Sequence, residues 1–494
     1  MTNDVTRGVQ DNLFIGGRLR PAHSVTRIPV IDPATEQAFA AIPDADTVDV
    51  DDAVRAATSA FRDSGWAELD PAERAGYLRR LAELIESRGE ELGRVVTAQN
   101  GMPLANSIAG NGAAAAGYYR YFAGLADELE PETERSGRGA RTVVRQEPVG
   151  VAALIVPWNG PQGAIAWKLA PALAAGCTAV VKPAPETSLD SYILAELVSQ
   201  AGIPPGVVNI ITGGRETGAT LVSHPGIRKV AFTGSTAAGR KVALACAEGF
   251  KRVTLELGGK SAALLLDDVD VSAFLPFVAS ACAPFSGQIC RALTRVLAPR
   301  SRYDEFVDAI VSAMGDLTVG HPLDPATQLG PLVSERQRTR VEDYIRSGRE
   351  QGAKVVLGGS RPPGFETGYY VEPTVFRDAD NDMRIAREEI FGPVLTVIPF
   401  DDDDDAIRIC NDSDYGLGGA IFTSDADRGF ALARRVESGS VGVNHYALPL
   451  DAPFGGVKNS GIGRELGLEG LAAYLETKAI YHPPARVTKE EGQR

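Results

Sequence analysis

Cysteine and histidine are scarce in this 494-residue sequence, with five of each. The cysteines form no C-x-x-C pair and are odd in number, which argues against a disulfide framework and favours free thiols in a reducing compartment. No histidine belongs to a local cysteine–histidine protease signature. The acidic runs at 47–54 and 401–409 lack calcium-loop spacing and are interpreted as helix N-termini. No metal is therefore expected.

Basic residues and long apolar runs are also in short supply. The 50 Lys and Arg against 64 Asp and Glu give a formal net charge of -14. That balance argues against a nucleic-acid partner, because binding nucleic acid requires basic side chains that neutralise phosphates. No apolar run is long enough to span a bilayer, and residues 1–14 lack the apolar stretch of a secretory signal. We therefore expect no membrane partner and a cytoplasmic location.

The chain is longer than a single hydrophobic core usually supports, so at least two domains are expected. Apolar residues at helical spacing predict amphipathic helices over 71–97. From residue 149, short runs that are apolar at nearly every position alternate with helical segments. This alternation predicts right-handed βαβ units in a parallel sheet. A similar region after residue 260 predicts a second α/β domain.

Ligands of such sheets bind at the carboxyl ends of the strands, so the residues that close each apolar run are candidate binding residues. They are small, polar or cationic, as a phosphate- and ribose-binding rim requires, and they lie at 157–159, 182–183, 213–214 and 233–235. The glycine-rich turn reads GGRETG and not G-x-G-x-x-G. By itself it is weak support for a nucleotide site.

Cys290 ends the segment FSGQIC, a small turn that could expose a thiol. A thiol with a pKa of roughly 8.5 is only a few per cent ionised at neutral pH, so a nucleophilic cysteine needs a base. Glu256 closes the apolar run RVTLEL and is followed by two glycines that allow close approach. A buried carboxyl there would have a raised pKa and act as a base near neutrality. A buried structural cysteine is the alternative.

Seven motifs give the chain a resemblance to NAD(P)-dependent aldehyde dehydrogenases over roughly residues 30–480. In order they are PWNGP (157–161), KPAPET (182–187), FTGS (232–235), ELGGK (256–260), GQIC (287–290), EEIFGPV (388–394) and PFGGVKNSGIGRELG (453–467). The resemblance implies an α/β fold with three parts. A Rossmann-type parallel-sheet cofactor domain is expected at 1–130 and 149–258, a second α/β catalytic domain at 259–458, and a small oligomerisation region of strands at 131–148 and 459–494.

The resemblance also implies a mechanism. The Cys290 thiolate attacks the aldehyde carbon, and the oxyanion is held by the Asn159 amide and the Cys290 backbone N–H. Hydride transfer to the nicotinamide leaves a thioester, which water activated by Glu256 hydrolyses to the carboxylic acid. Lys168 and Glu465 match positions that the family links to a proton relay behind this base.

For the cofactor, Lys182 matches the family lysine at the adenosine ribose, and Ser235 matches the position at the pyrophosphate. Glu389 and Phe391 match the pair that orients the nicotinamide ribose and ring. NAD is the expected cofactor, with NADP as the alternative. The full set expected to contact it is Ile155, Val156, Pro157, Trp158, Lys182, Gly214, Gly218, Phe232, Thr233, Gly234, Ser235, Leu257, Glu389 and Phe391.

Three positions depart from the family pattern. Arg291 follows the nucleophile where small residues are common; we interpret it as part of a structural ion pair, with an anionic substrate or a stabilised thiolate as alternatives. Pro185 stands where many NAD-preferring members have a glutamate, so the choice between NAD and NADP stays open. Gly160 replaces an often aromatic residue, which predicts an open substrate channel. A bulky or terpenoid-like aldehyde is one hypothesis.

Two other functions compete with a hydrolytic dehydrogenase. In a CoA-acylating enzyme, the CoA thiol would cleave the thioester, but the presence of Glu256 favours water. A catalytically silent binding protein would be free to lose Cys290, Glu256 or Asn159, and all three are present. The expected partners are a small-molecule aldehyde and further copies of the chain. A homodimer or homotetramer would form through strands at 132–148 and 477–483 that pair across subunits.

Overall fold

The computed structural model describes residues 11–137 and 140–482. Residues 1–10, in the predicted cofactor domain, lie outside the described residues. So do residues 138–139 and 483–494, in the predicted oligomerisation region. The strands are β1 Asn12–Ile15, β2 Arg18–Pro21, β3 Arg27–Asp32, β4 Gln37–Pro43, β5 Glu132–Gly137, β6 Ala140–Pro148, β7 Val151–Ile155, β8 Thr178–Lys182, β9 Val208–Ile210, β10 Lys229–Thr233, β11 Arg252–Glu256, β12 Ala262–Leu265, β13 Arg295–Pro299, β14 Lys354–Leu357, β15 Thr374–Arg377, β16 Val394–Phe400, β17 Tyr415–Gly416, β18 Gly419–Phe422, β19 Gly442–Val443, β20 Val457–Lys458, β21 Gly461–Ile462 and β22 Leu475–His482.

The α-helices are α1 Thr47–Asp63, α2 Pro71–Ser87, α3 Gly89–Asn100, α4 Leu104–Ile108, α5 Ala114–Asp127, α6 Pro161–Ala175, α7 Asp190–Gln200, α8 Arg215–Ser223, α9 Thr236–Glu248, α10 Val271–Phe274, α11 Tyr303–Gly315, α12 Glu335–Glu350, α13 Arg384–Arg387, α14 Asp403–Asn411, α15 Ala426–Ala433 and α16 Gly467–Ala472. Short 3₁₀ turns occur at Trp66–Glu68, Pro185–Thr187 and Arg300–Arg302, and π-turns at Ala109–Ala113 and Val278–Cys282.

Helix starts follow the capping chemistry of the sequence. The two acidic runs begin α1 and α14, and the side chains of Asp46 and Asp402 cap these helices by accepting backbone N–H bonds. The predicted amphipathic region is two helices, because the chain leaves helical geometry at Arg88, between α2 and α3. Across the described ranges 11–137 and 140–482, no helix is both long and apolar enough to cross a membrane.

An eight-stranded sheet contains the first βαβ units. Its order is β2-β1-β9-β8-β7-β10-β11-β21, and β9 through β11 run parallel, with antiparallel strands at both edges. Every residue of β7 and β8 is buried, as expected for a sheet covered on both faces. From β7 the chain builds outward to β8 and β9, and then places β10 on the other side of β7. This reversal creates a switch point, where loops diverge and leave a crevice.

A seven-stranded sheet follows in the order β14-β15-β16-β13-β12-β18-β19 and is parallel except for β14. The predicted α/β fold with two parallel sheets is therefore confirmed, while the proposed domain boundaries stay a prediction. Residues 257–261 pass directly from β11 of the first sheet to β12 of the second. Glu256 therefore ends one sheet, and Cys290 lies in the β12–β13 connection of the other.

The third sheet has the order β22-β6-β5 and is antiparallel. Eight residues of β22 pair with β6 of the same chain, from Leu475 opposite Pro148 to His482 opposite Arg141. The two segments that we expected to pair across subunits thus pair first with each other. Pairing of the outer strands β5 and β22 with another subunit stays a prediction.

Candidate active site

A cavity of about 530 Å³ lies at the switch point of the first sheet. It is bounded by the carboxyl ends of β7, β8 and β10 and by helices α8 and α9, a size and position suited to a small-molecule ligand. The predicted cofactor residues that line it are Ile155, Val156, Pro157, Trp158, Lys182, Gly214, Gly218, Phe232, Thr233, Gly234 and Ser235. Leu257, Glu389 and Phe391 do not line this cavity, because they belong to the segments that lead toward Cys290.

Two backbone oxygens hold the Lys182 side chain at the cavity. Its ammonium donates to the backbone oxygens of Pro183 at 2.9 Å and Gly213 at 2.6 Å. A Cβ at Gly218 would come within 3.3 Å of the lysine Cε, so a glycine lets α8 pack against this side chain. Burial lowers the pKa of Lys182 to about 8. The site therefore holds a donor that ligand oxygens could reach.

The N-terminus of α9 also faces the cavity. Ser235 caps this 13-residue helix, with its hydroxyl accepting from Ala238 N–H at 3.3 Å. The Gly234 N–H donates to the Glu256 carbonyl at 3.1 Å, which ties the cavity rim to β11. Free backbone N–H groups and the positive end of a helix dipole suit an anionic group such as a pyrophosphate.

Cys290 follows a strained turn. Phe285, Ser286 and Gly287 all have left-handed backbones, with φ of 47°, 54° and 73°. A Cβ at Gly287 would lie 2.0 Å from the Gly392 carbonyl oxygen, so only glycine fits there. Two consecutive non-glycine residues, Phe285 and Ser286, persist in this region only where the surroundings enforce it, which is a feature of functional sites.

Buried hydrogen bonds hold this turn in place. The Ser286 hydroxyl donates to Gly330 O at 2.8 Å, and the Gln288 amide oxygen accepts from Val333 N–H at 3.1 Å. The sequence motifs predict no role for Ser286 or Gln288, although both are polar residues close to the candidate nucleophile. Both side chains are completely buried, and buried polar groups are normally hydrogen-bonded. Holding the turn is therefore their structural role.

The Cys290 thiol lies against the Glu256 carboxyl. Burial, and then the charge on Glu256, raise the pKa of Cys290 well above its usual value, and the side-chain hydrogen bond between the two groups acts in the same direction. Burial raises the pKa of Glu256 to about 8. One carboxyl oxygen of Glu256, Oε1, is buried without a hydrogen-bond partner among the described residues. The pair is therefore a thiol beside a carboxyl that titrates close to neutrality, as a catalytic base requires.

Asn159 is directed toward the same turn. Its side-chain amide donates to the Gln288 carbonyl at 2.7 Å, which fixes the amide next to Cys290. An amide nitrogen carries two hydrogens, so a second donor is left for a ligand.

Lys168 and Glu465 form a buried ion pair at 2.5 Å, with side-chain exposures of 0% and 4%. Lys168 also donates to the Thr233 hydroxyl at 2.6 Å. Glu465 raises the pKa of Glu256, and Lys168 lowers it, so both charges act on the carboxyl beside the thiol. The structure thus brings together all five predicted catalytic residues: Cys290, Glu256, Asn159, Lys168 and Glu465.

Glu389 and Phe391 approach the crossing segment 257–261 from the second sheet. A Glu389 carboxyl oxygen accepts from Gly259 N–H at 3.1 Å, and burial raises the pKa of Glu389 to about 7. The Phe391 ring packs edge-on against Trp158, with 5.3 Å between centroids. Leu257 donates its N–H to Ser460 O at 3.0 Å. These residues lie between the switch-point cavity and Cys290.

The structure shows the surroundings of two positions that depart from the family pattern, Arg291 and Pro185. The ion pair predicted for Arg291 is wrong: among the described residues, no carboxylate lies within ion-pair distance, and the guanidinium carbon stands 4.9 Å from the centre of the Tyr446 ring. Pro185 leaves its position without a carboxylate, but the next residue, Glu186, carries one. Glu186 lines the switch-point cavity and pairs with Arg336 at 3.0 Å.

In the described part of the chain, no group of three or more His, Cys, Asp or Glu side chains could hold a metal ion. A crevice at a switch point, with a helix N-terminus on one side and a strained cysteine turn beyond it, defines a dinucleotide-dependent enzyme of the α/β class.

Comparison with known proteins then gives the family. Residues 19–480 match the model of the aldehyde dehydrogenase family, and the chain belongs to that family. It is 48% identical over 471 residues to geranial dehydrogenase of Castellaniella defragrans, covering 95% of this chain and 98% of that protein. An aminoaldehyde dehydrogenase of Arabidopsis thaliana is 40% identical, covering 95% of each chain.

A solved structure agrees with this assignment. The Mycobacterium tuberculosis aldehyde dehydrogenase complexed with NAD+ has a TM-score of 0.95 and 45% identity, covering 96% of this chain and 99% of that chain. The family, the fold class and the class of enzyme predicted from the motifs are confirmed.

The thiol–carboxyl contact makes a prediction about reactivity. We expect iodoacetamide to alkylate Cys290 slowly at neutral pH and faster under alkaline conditions, because the thiolate is the reactive form. The Glu256→Gln substitution removes the charge that raises the thiol pKa, so the profile should move to lower pH. Mass spectrometry of the peptide containing residue 290 measures the rate, and Cys290→Ser controls for labelling elsewhere. An unchanged profile would contradict the electrostatic coupling.

Proposed function

We propose that this protein oxidises an aldehyde to a carboxylic acid with NAD as the hydride acceptor, through a covalent intermediate on Cys290. The observation that carries the proposal is the Cys290 thiol in contact with the buried Glu256 carboxyl, next to the switch-point cavity. The cofactor-bound M. tuberculosis relative supports NAD.

In the first half of the reaction, the thiol gives its proton to Glu256 and the sulphur bonds to the aldehyde carbon. The developing oxyanion accepts hydrogen bonds from the free Asn159 amide hydrogen and the Cys290 backbone N–H. Bound NAD supplies the hydride acceptor and a positive charge. Lys182, Ser235 and Glu389 would hold it, and Phe391 would orient its ring beside Trp158.

In the second half, the carbonyl carbon is bound to Cys290 as a thioester. Glu256 releases its first proton through the buried pair behind it, Lys168 and Glu465, and then accepts a proton from an attacking water. Breakage of the carbon–sulphur bond frees the carboxylic acid and regenerates the thiolate. Water is favoured over CoA as the acceptor because the unsatisfied carboxyl oxygen of Glu256 can orient it.

A panel of aldehydes tests this function. We expect aliphatic, aromatic or terpenoid aldehydes to reduce NAD, and NADP less well, in the absence of CoA. Cys290→Ala should abolish this activity, and absorbance of the reduced cofactor measures it. Turnover that requires CoA would support the acylating alternative, and failure of every aldehyde to reduce either cofactor would refute the dehydrogenase.

Glu256→Gln should separate the two halves of the reaction. We expect a burst of up to one equivalent of reduced cofactor per chain that forms more slowly than in the native enzyme, because Glu256 also accepts the thiol proton. Steady turnover should then be roughly 10² to 10⁴-fold slower, because no base activates water. In the native enzyme kcat should rise as pH increases through about 8, since the base is the ionised form. Stopped-flow absorbance measures both, with the exposed Glu350→Gln as the control. A substitution without effect on steady turnover would remove Glu256 from the mechanism.

We also propose a homodimer or homotetramer in a reducing compartment, the cytoplasm. Strand β22 leaves an open edge with Tyr481 76% exposed, and Phe250 and Leu244 are 97% and 71% exposed elsewhere on the surface; open edges and exposed apolar side chains usually find partners. All five cysteines are free, which suits reducing conditions. Light scattering should give two or four times the chain mass, and a monomer would contradict the assembly.

A further inference from the structure

Arg291 carries an unpaired charge next to the nucleophile. Its guanidinium carbon lies 4.9 Å from the centre of the Tyr446 ring, a distance at which a cation is attracted to the ring face. The Tyr446 hydroxyl donates to the Arg291 backbone oxygen at 2.7 Å, which holds the two residues together. The arginine thus occupies an aromatic face that could otherwise attract a cationic ligand.

A row of three further aromatic side chains begins near Arg291. The guanidinium lies close enough to lower the pKa of the Tyr118 phenol, a value that burial raises. Tyr118 packs edge-on against Trp167 with 5.7 Å between ring centres, and Trp167 packs against Phe454 at 5.3 Å. None of these side chains lines the switch-point cavity. Phe454 belongs to a hydrophobic cluster against which Tyr118, Trp167 and Cys290 all pack. We therefore infer that an aldehyde approaches Cys290 from this side if the cofactor fills the switch-point cavity.

Among the described residues, no carboxylate pairs directly with the Arg291 guanidinium. Within ion-pair distance the described residues offer Arg291 no carboxylate, and the carboxyl in contact with the Cys290 thiol, Glu256, has its pKa raised by burial to about 8 and is mostly neutral at neutral pH. A second cation about 6 Å from the guanidinium, at an effective dielectric constant near 20, would bind on the order of 100-fold more weakly than an uncharged group.

We propose that Arg291 is a specificity residue that excludes cationic aldehydes. The inference rests on the proposed aldehyde oxidation. Family membership leaves substrate charge open, because one relative is named for geranial, which is neutral, and another for aminoaldehydes, which are cationic at neutral pH. The charge next to the nucleophile therefore decides between the two classes.

Two aldehydes of equal shape test the proposal. Tert-butylacetaldehyde and trimethylammonioacetaldehyde differ only in a carbon replaced by a charged nitrogen. In the native enzyme, kcat/KM should favour the neutral aldehyde strongly. In Arg291→Met this preference should fall on the order of 100-fold, mainly through faster reaction of the cationic aldehyde.

Two further variants separate charge from shape. Arg291→Lys retains the charge and should retain the preference, and Arg346→Met, on the exposed face of α12, should leave it unchanged. A preference in Arg291→Met equal to that of the native enzyme would overturn the proposal, as would an equal loss in Arg291→Lys. If the native enzyme oxidises neither aldehyde, the proposed function is in doubt, and a measurement that needs no turnover then decides the inference.

That measurement is disulfide formation at Cys290 with methyl methanethiosulfonate and its trimethylammonioethyl analogue. The thiolate bonds to the reagent sulphur and methanesulfinate leaves, so no cofactor is needed. We expect the rate of the cationic reagent relative to the neutral one to rise on the order of 10-fold or more in Arg291→Met, while Arg291→Lys keeps the native ratio. Any change in thiol pKa affects both reagents alike. An unchanged ratio in Arg291→Met would refute the charge barrier.

Discussion

The contact between the partly buried Cys290 thiol and the buried Glu256 carboxyl is the interaction on which this site depends. Burial disfavours the ionised form of each group, and the charge of Glu256 further raises the pKa of Cys290, whereas the hydrogen bond with the thiol lowers the pKa of Glu256. The environment of Glu256 brings its pKa near neutrality, to about 8. This makes the carboxyl beside the thiol the candidate base for a cysteine that no histidine signature accompanies.

The fold achieves this contact by crossing directly from one sheet to the other. Glu256 ends β11 and β12 begins only six residues later, so the two sheets are joined at the site itself. Close approach requires small residues along the crossing. A Cβ at Gly258 would come within 2.6 Å of a Glu389 carboxyl oxygen, and one at Gly259 within 2.6 Å of the Cys290 carbonyl oxygen. The two glycines of ELGGK are thus packing requirements of the catalytic geometry.

Much of this could be predicted from the sequence, because parallel strands buried on both faces leave an unambiguous apolar pattern and place their carboxyl ends at one edge. The apolar runs alone predict that Lys182 and Ser235 lie at this edge. The turn at 285–287 could not be predicted, since Phe and Ser rarely adopt positive φ and only tertiary contacts enforce it. Arg291 was interpreted wrongly for a related reason: its partner, Tyr446, lies 155 residues away and is an aromatic ring, not a carboxylate.

The raised pKa values of Cys290 and Glu256 also explain how a partly exposed cysteine can avoid unwanted oxidation and alkylation. Cys290 is only partly buried, yet its pKa lies well above the usual value and that of Glu256 is about 8, so in the absence of ligands both groups hold their protons at neutral pH. A neutral thiol resists oxidation and alkylation, which require the thiolate. A positive charge arriving beside the pair lowers both pKa values. A bound ligand that brings such a charge would therefore favour the thiolate, and the burial that keeps both groups protonated also makes them sensitive to that charge.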